Sequence, residues 1–243
     1  MEEGHAVFGQ DMPVIGCIMM GGSAGLETEL HRRLPPGVQM ATTRVPFHQA
    51  SYQGLLEMIG HLPDAARILA EARPNVIAVT SFTGSCIRGH EIVNVIEQCT
   101  GVPTVVPALE YAALLRELGA ARVALATAFR SELRILEQLF FQEQGIQVEP
   151  VIQLDSPPEA DPFSFGRVDY DALTALLRQT DLGGADALLV DLPAFTMNPQ
   201  VQDALSRWPG LPVLSMIEAL LWAACRHIGV PRDQLSLPRL LTP

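Results

Sequence analysis

The sequence contains no lysine; all 16 of its basic residues are arginines. That absence excludes Schiff-base chemistry, a lysine-anchored pyridoxal phosphate and a Walker-type phosphate lysine. Cysteine is scarce. Cys17, Cys86, Cys99 and Cys225 show neither CxxC spacing nor a histidine at zinc-ligand distance, so no metal is expected. Few cysteines, and no apolar targeting core in the opening MEEGHAVFGQDM, lead us to expect a reducing, cytoplasmic setting. Long hydrophobic runs are missing too. The most apolar helical stretch, MIEALLWAAC at 216–225, is interrupted by Glu218 and too short to span a bilayer. Positive charge is in deficit, 16 basic residues against 27 acidic for a net charge of −11, which argues against nucleic acid or an anionic membrane surface as partner.

What is present is 243 residues, 48% of them hydrophobic, enough to bury a core in one or two domains. Short β-branched runs alternate with longer stretches of helical periodicity, the pattern of a parallel α/β sheet. The first half predicts strands over 14–20, 38–43, 75–80 and 103–106, with helices over 26–34, 55–72, 81–99 and 109–118. The plan then restarts. Strands are predicted over 122–127, 147–152, 187–191 and 212–215, and helices over 131–144, 170–179, 199–207 and 216–227. The proline-rich segment 155–169 reads as a loop. Two four-strand units of similar length imply two pseudo-symmetric lobes, 1–118 and 119–215, with 216–243 packing back on the first. In such sheets ligands bind beyond the carboxyl ends of the strands, here the loops after Met20, Thr80, Thr127 and Asp191.

Four segments at those loops, IGCIMMGGSAGLETEL, ARPNVIAVTSFTGSCIRG, RVALATAF and ADALLVDLPAF, resemble the aspartate/glutamate racemase superfamily. The branch they resemble holds the maleate cis-trans isomerases and arylmalonate decarboxylases. The resemblance runs from about residue 13 to about 228. It implies a cofactor-independent, homo-oligomeric enzyme with its site between the lobes. It also implies a small carboxylate substrate, flanked in the family by one cysteine from each lobe. Decarboxylating members keep only the second-lobe cysteine.

This chain departs from that pattern. Read without gaps, the first-lobe cysteine position falls on Ser81 and the second-lobe position on Asp191. The family's asparagine falls on Ser23 and its tyrosine on Phe129. A two-residue gap instead puts Thr80 and Ser81 on a Thr-Ser pair and leaves Val79 at the cysteine position, so neither reading restores the thiol.

Asp191 closes the apolar run ALLVD, where burial raises a carboxyl pKa and suits it to general acid or base work. A loop-capping aspartate ahead of Pro193 has the same sequence signature. Ser81 opens the turn SFTGS, and with Phe82, Thr83 and Gly84 it offers hydroxyls and free amides to an anion. A plain helix cap has that signature as well. Gly22 and Ser23 form the corresponding turn after the first strand. Phe129 and Leu192 are expected to wall the site, and His48 lies at a loop mouth as a possible acid–base group. Arg44 and Arg88 are the cations available to a substrate carboxylate. Cys86, one turn into its helix, is expected to pack, as are Cys17 and Cys225.

The expected chemistry is isomerase, racemase or decarboxylase-like, with Asp191 as acid/base and Ser81, Thr83 and Ser23 holding the anion. Two alternatives stay open. Asp191 can activate water or a hydroxyl in a hydrolase, hydratase or cyclase, or the chain can be an inactive carboxylate-binding protein.

Overall fold

The computed structural model of the chain describes residues 12–129, 132–154, 170–191 and 210–231, with 207, 234 and 235. Two four-stranded parallel sheets organise it. The first is ordered β2-β1-β3-β4, from β1 (Val14–Met20), β2 (Gln39–Val45), β3 (Val76–Val79) and β4 (Thr104–Val105). The second repeats that order as β6-β5-β7-β8, from β5 (Arg122–Thr127), β6 (Gln147–Gln153), β7 (Ala187–Asp191) and β8 (Val213–Ser215). In each sheet the central strands are almost wholly buried, as strands covered by helices on both faces must be. The expected two-lobed α/β architecture is what the chain adopts.

The first lobe carries α1 (Ala24–Arg33), α2 (Tyr52–Gly60), α3 (Leu62–Ala70), α4 (Phe82–Thr100) and α5 (Pro107–Glu117). The second carries α6 (Glu132–Glu143) and α7 (Tyr170–Gln179), and α8 (Met216–His227) follows its last strand. One expectation is corrected. The helix predicted over 55–72 is two helices, broken at His61, which ends α2 and caps α3. Pro63 explains the break: it is favoured in a first helical turn and tolerated poorly inside a longer helix. The predicted helix at 199–207 and the loop at 155–169 lie outside the described residues, apart from residue 207.

One hydrophobic cluster joins the sheets. It runs from Ile15, Cys17 and Val76 through Tyr111 and Leu115 to Val123, Leu125 and Leu189, and takes in most of α8. Three rings cross the seam between α4, α5 and α6. Phe82 and Tyr111 lie 5.1 Å apart edge to face, and Phe141 lies 5.9 Å from Phe82 and 6.4 Å from Tyr111. Each buried ring contributes about 1.5–3 kcal/mol by area alone, so this packing fixes where α4 and α6 meet. α8 leaves β8 of the second sheet and packs on α5, α1, β3 and β4 of the first. Among the described residues, no helix is long and apolar enough to cross a membrane.

Candidate active site

The carboxyl ends of β1, β3, β5, β7 and β8 converge on one cavity of about 40 Å³. Its apolar walls are Met20, Leu26, Phe47, Leu55, Phe82, Phe129, Val190, Met216 and Ile217. Its polar lining is Thr80, Ser81, Thr83, Asp191 and Ser215. Asp191 is thus the one ionisable side chain on the wall among the described residues.

Two helices begin at this cavity. At α4, Ser81 is the N-cap in extended conformation, yet its hydroxyl makes no capping bond. The first-turn amides of a helix have no partner within it and carry the positive end of the dipole. Gly84 has a steric reason to be glycine: a Cβ there would lie 2.6 Å from Ser81 Oγ and 3.1 Å from Met58 Cε. The absent methyl lets the hydroxyl lie over the helix start. Ser85 braces the same turn, donating 2.7 Å to the Phe82 carbonyl and accepting 3.0 Å from the Ala108 amide of α5.

At α8, Ser215 and Glu218 form a reciprocal capping box. The Ser215 amide donates 2.6 Å to Glu218 Oε2. Glu218 Oε1 pairs with Arg33 of α1, and both side chains are almost fully buried. This ion pair clamps the start of α8 against the first lobe.

Asp191, only 7% exposed, sits at the end of β7. Burial raises its pKa to about 6, opposed by a hydrogen bond from Glu137. Glu137, on α6, is fully buried and does not line the cavity. Burial, then the charge of Asp191 and the hydrogen bond between them, push the Glu137 carboxyl well above the ordinary range. Thr83 Oγ1 donates 2.7 Å to Glu137 Oε1. Glu137 Oε2 and Asp191 Oδ2 are both buried, with no N–H or O–H donor among the described residues. Two carboxylates buried as neighbours disfavour each other's ionisation, which is the direction of the Glu137 shift.

The surroundings contain titratable groups that stay neutral. Burial, then the charges of Glu137 and Asp191, push the Cys86 thiol well up. Tyr111 is raised by burial and by Glu218, Asp191 and Glu137. Burial drives Cys17 to about 12. Among the described residues no cysteine lines the cavity, and no group of side chains suits a metal ion.

The structure therefore brings Ser81, Phe82, Thr83, Phe129 and Asp191 together, from both lobes. Gly22, Ser23, Gly84 and His48 are not on the wall. Ser23 is buried in the turn after β1, where its amide donates to the Met20 carbonyl; His48 is exposed to solvent, with Phe47 facing the cavity in its place. Leu192 lies outside the described residues. The two arginines are engaged elsewhere. Arg44 pairs with Glu27 and donates to the Met20 and Gly21 carbonyls, and Arg88 pairs with Glu91 one turn along α4. Sequence reasoning missed Glu137, Ser215, Met216 and Ile217. A signal for Glu137 existed, because Leu133, Glu137, Phe140 and Phe141 form one buried stripe on α6. A carboxylate in an apolar stripe needs a partner.

The sequence model of the family described as arylmalonate decarboxylase matches residues 22–241. No curated protein matches the chain by sequence. Among solved structures, a Nocardia farcinica maleate cis-trans isomerase bound to TRIS aligns with a TM-score of 0.84 at 23% identity, over 94% of this chain and 97% of that one. A cysteine variant of the same enzyme was solved with a covalently bound succinylcysteine intermediate. The maleate isomerase of Pseudomonas putida, in a variant solved with maleate, aligns at 0.81 and 19% identity over 95% and 97%. A liganded double mutant of arylmalonate decarboxylase aligns at 0.79 and 24% over 89% and 93%. These likenesses establish the fold. The family and structural neighbours are isomerases and lyases.

Proposed function

Because the chain belongs to the arylmalonate decarboxylase family, we propose that it is a cofactor-independent isomerase or lyase that makes or breaks a bond to the carbon beside a small carboxylate. The observation that carries this reading is the cavity itself. Among the described residues a single ionisable group, Asp191, faces a largely apolar space that also carries hydroxyls, between the starts of α4 and α8.

The substrate carboxylate sits at the start of α4, on the free amides and the Ser81 hydroxyl. A helix N-terminus stabilises an anion without a cationic side chain, which suits a chain whose Arg44 and Arg88 are already paired. The reacting carbon then lies toward Asp191. As carboxylate, Asp191 accepts the α-proton; as acid, it returns one to the enolate. Amides already aimed at the carboxylate stabilise the charge that grows there as the enolate forms.

The thiol chemistry named for the Nocardia relative has no group to carry it here. Cys86 lies inside α4, off the cavity wall, with its thiol held neutral. Phe129 and Phe82 favour a substrate with one apolar or aryl substituent over a second charged group.

Incubation of the enzyme with maleate, phenylmalonate and simple arylacetates in deuterium oxide, followed by proton NMR, tests the proposal. Deuterium at a carbon beside a carboxylate, or carbon dioxide release with deuterium delivered to the product, is the expected outcome. Oxygen-18 incorporation from water without carbon exchange would instead make Asp191 a water-activating base. A ligand that raises Tm and emerges chemically intact would make the chain a binding protein.

A further inference from the structure

Among the described residues, one buried carboxyl stands beside the cavity without reaching it. Glu137 is 0% exposed and comes from the middle of α6. One of its oxygens accepts a hydrogen bond from Thr83 of α4. Its other oxygen, like the inner oxygen of Asp191, has no N–H or O–H donor among the described residues. The charge of Asp191 acts on the Glu137 carboxyl, so the two unpartnered oxygens belong to neighbouring groups.

We infer that Glu137 is a positioning residue for Asp191: it stays a carboxylic acid, donates its proton to the inner oxygen of Asp191, and leaves the other oxygen of Asp191 as the single reactive atom facing the cavity. The inference rests on the proposed role of Asp191 as acid/base. Thr83 fixes the rotamer of Glu137, the acid proton fixes the rotamer of Asp191, and the chain Thr83–Glu137–Asp191 ends at the cavity wall.

The groups facing this pair from neighbouring elements support a shared proton. The Cys86 thiol from α4 and the Tyr111 phenol from α5 are neutral. The Glu218 side chain from α8 is paired with Arg33. Among the described residues, no arginine or histidine acts on either carboxyl. A second negative charge there would be uncompensated in an apolar interior.

The arrangement has a consequence for the reaction. Both carboxyls come from the second lobe, on α6 and β7, while the first lobe offers the Ser81 hydroxyl. The outer oxygen of Asp191 takes a proton as the substrate C–H bond breaks, with the bonding pair remaining on the substrate as its enolate. The new O–H bond then returns that proton to the same face. Proton transfer is one-sided, unlike transfer between two bases on opposite faces.

Infrared difference titration of the substrate-free protein tests this directly and needs no knowledge of the substrate. The expected result is a carboxylic-acid carbonyl band at pH 7 in the wild type and in Asp191→Asn that disappears in Glu137→Gln. The Asp191 ionisation, read as the wild type minus Asp191→Asn, should keep its midpoint in Glu137→Gln, whose amide still donates. In Glu137→Leu, which has no donor, it should rise by roughly one pH unit, a tenfold change in the proton equilibrium. Absence of the acid band, or a fall of the midpoint in Glu137→Gln, would mean that Glu137 is ionised and overturn the inference. Neither outcome depends on turnover, so failure of the proposed reaction would leave this result standing.

Discussion

Thr83 and Glu137 join the two lobes by a 2.7 Å hydrogen bond that is wholly buried, from the first turn of α4 to the middle of α6. The donor lies on the cavity wall, and the acceptor carries the proton shared with Asp191. Removing the donor while keeping the shape strands a buried acceptor. Thr83→Val is therefore expected to cost about 1–3 kcal/mol, read as a lower midpoint in chemical denaturation. An unchanged midpoint would show that the bond does not matter to stability.

Arg33 and Glu218 form the second buried tie. Glu218 also caps α8 through Ser215, so the charge of Arg33 stabilises the helix start at the cavity as well as the pair. Arg33→Met keeps the volume of the stem and leaves Glu218 without its cation. The expected loss is about 3–5 kcal/mol, measured by urea unfolding. The double variant Arg33→Met with Glu218→Gln should recover part of that loss, because no uncompensated charge remains.

The raised carboxyl at Asp191 makes stability depend on pH with a definite sign. Its folded pKa of about 6 stands above the ordinary 3.8. A group raised in this way contributes fully at low pH, and its contribution is lost as pH rises through about 6. Relative to the wild type, Asp191→Asn is expected to be more stable at pH 8 by about 3 kcal/mol, one pKa unit being roughly 1.4. The difference should vanish below about pH 4. Calorimetry at pH 4, 6 and 8 reads it directly; a variant that is less stable at pH 8 would contradict the sign.

Gly84 holds open the space that Ser81 Oγ occupies. Gly84→Ala gains helix propensity of about 1 kcal/mol, which offsets the cost of pushing the hydroxyl aside. Stability should therefore change little while kcat/KM falls about tenfold, the loss of roughly one hydrogen bond to the carboxylate. Ser81→Ala should show a loss of similar size, and the double variant should add little to it.

No thiol is expected to take part in turnover. Cys86 and Cys17 are held neutral by burial, so iodoacetamide at pH 8 should leave both unmodified in the folded protein, as read by peptide mass spectrometry. Cys86→Ser should retain activity within about twofold, well under the tenfold of a 1.4 kcal/mol loss. Inactivation that tracks alkylation of Cys86 would restore a cysteine mechanism.

Particular residues show what was legible in the sequence. The strands were, because runs such as ALLVD and RVALAT are too apolar and too short to be anything but buried parallel strands. The strand-end loops followed from the architecture, and the family resemblance singled out Ser81, Phe129 and Asp191 within them. Glu137 was hidden because a glutamate in ELRILEQLFFQE reads as part of a solvated face, and only its register with Leu133 and Phe141 marks it as buried. Its partners lie 54 residues away in each direction, at Thr83 and Asp191, which local spacing cannot reveal. The engagement of Arg44 depends on Glu27, which the β1–β2 pairing brings alongside.

In the proposed reaction Asp191 is the group that moves the proton. The direct measurement is deuterium incorporation beside the carboxylate, by proton NMR in deuterium oxide, comparing wild type with Asp191→Asn on whichever panel acid the wild type turns over. General acid–base catalysis is worth about 10²–10⁴-fold, so the variant is predicted to exchange at least about a hundredfold more slowly while still binding the acid. Exchange within twofold of the wild type would contradict the account and move the chemistry to another residue.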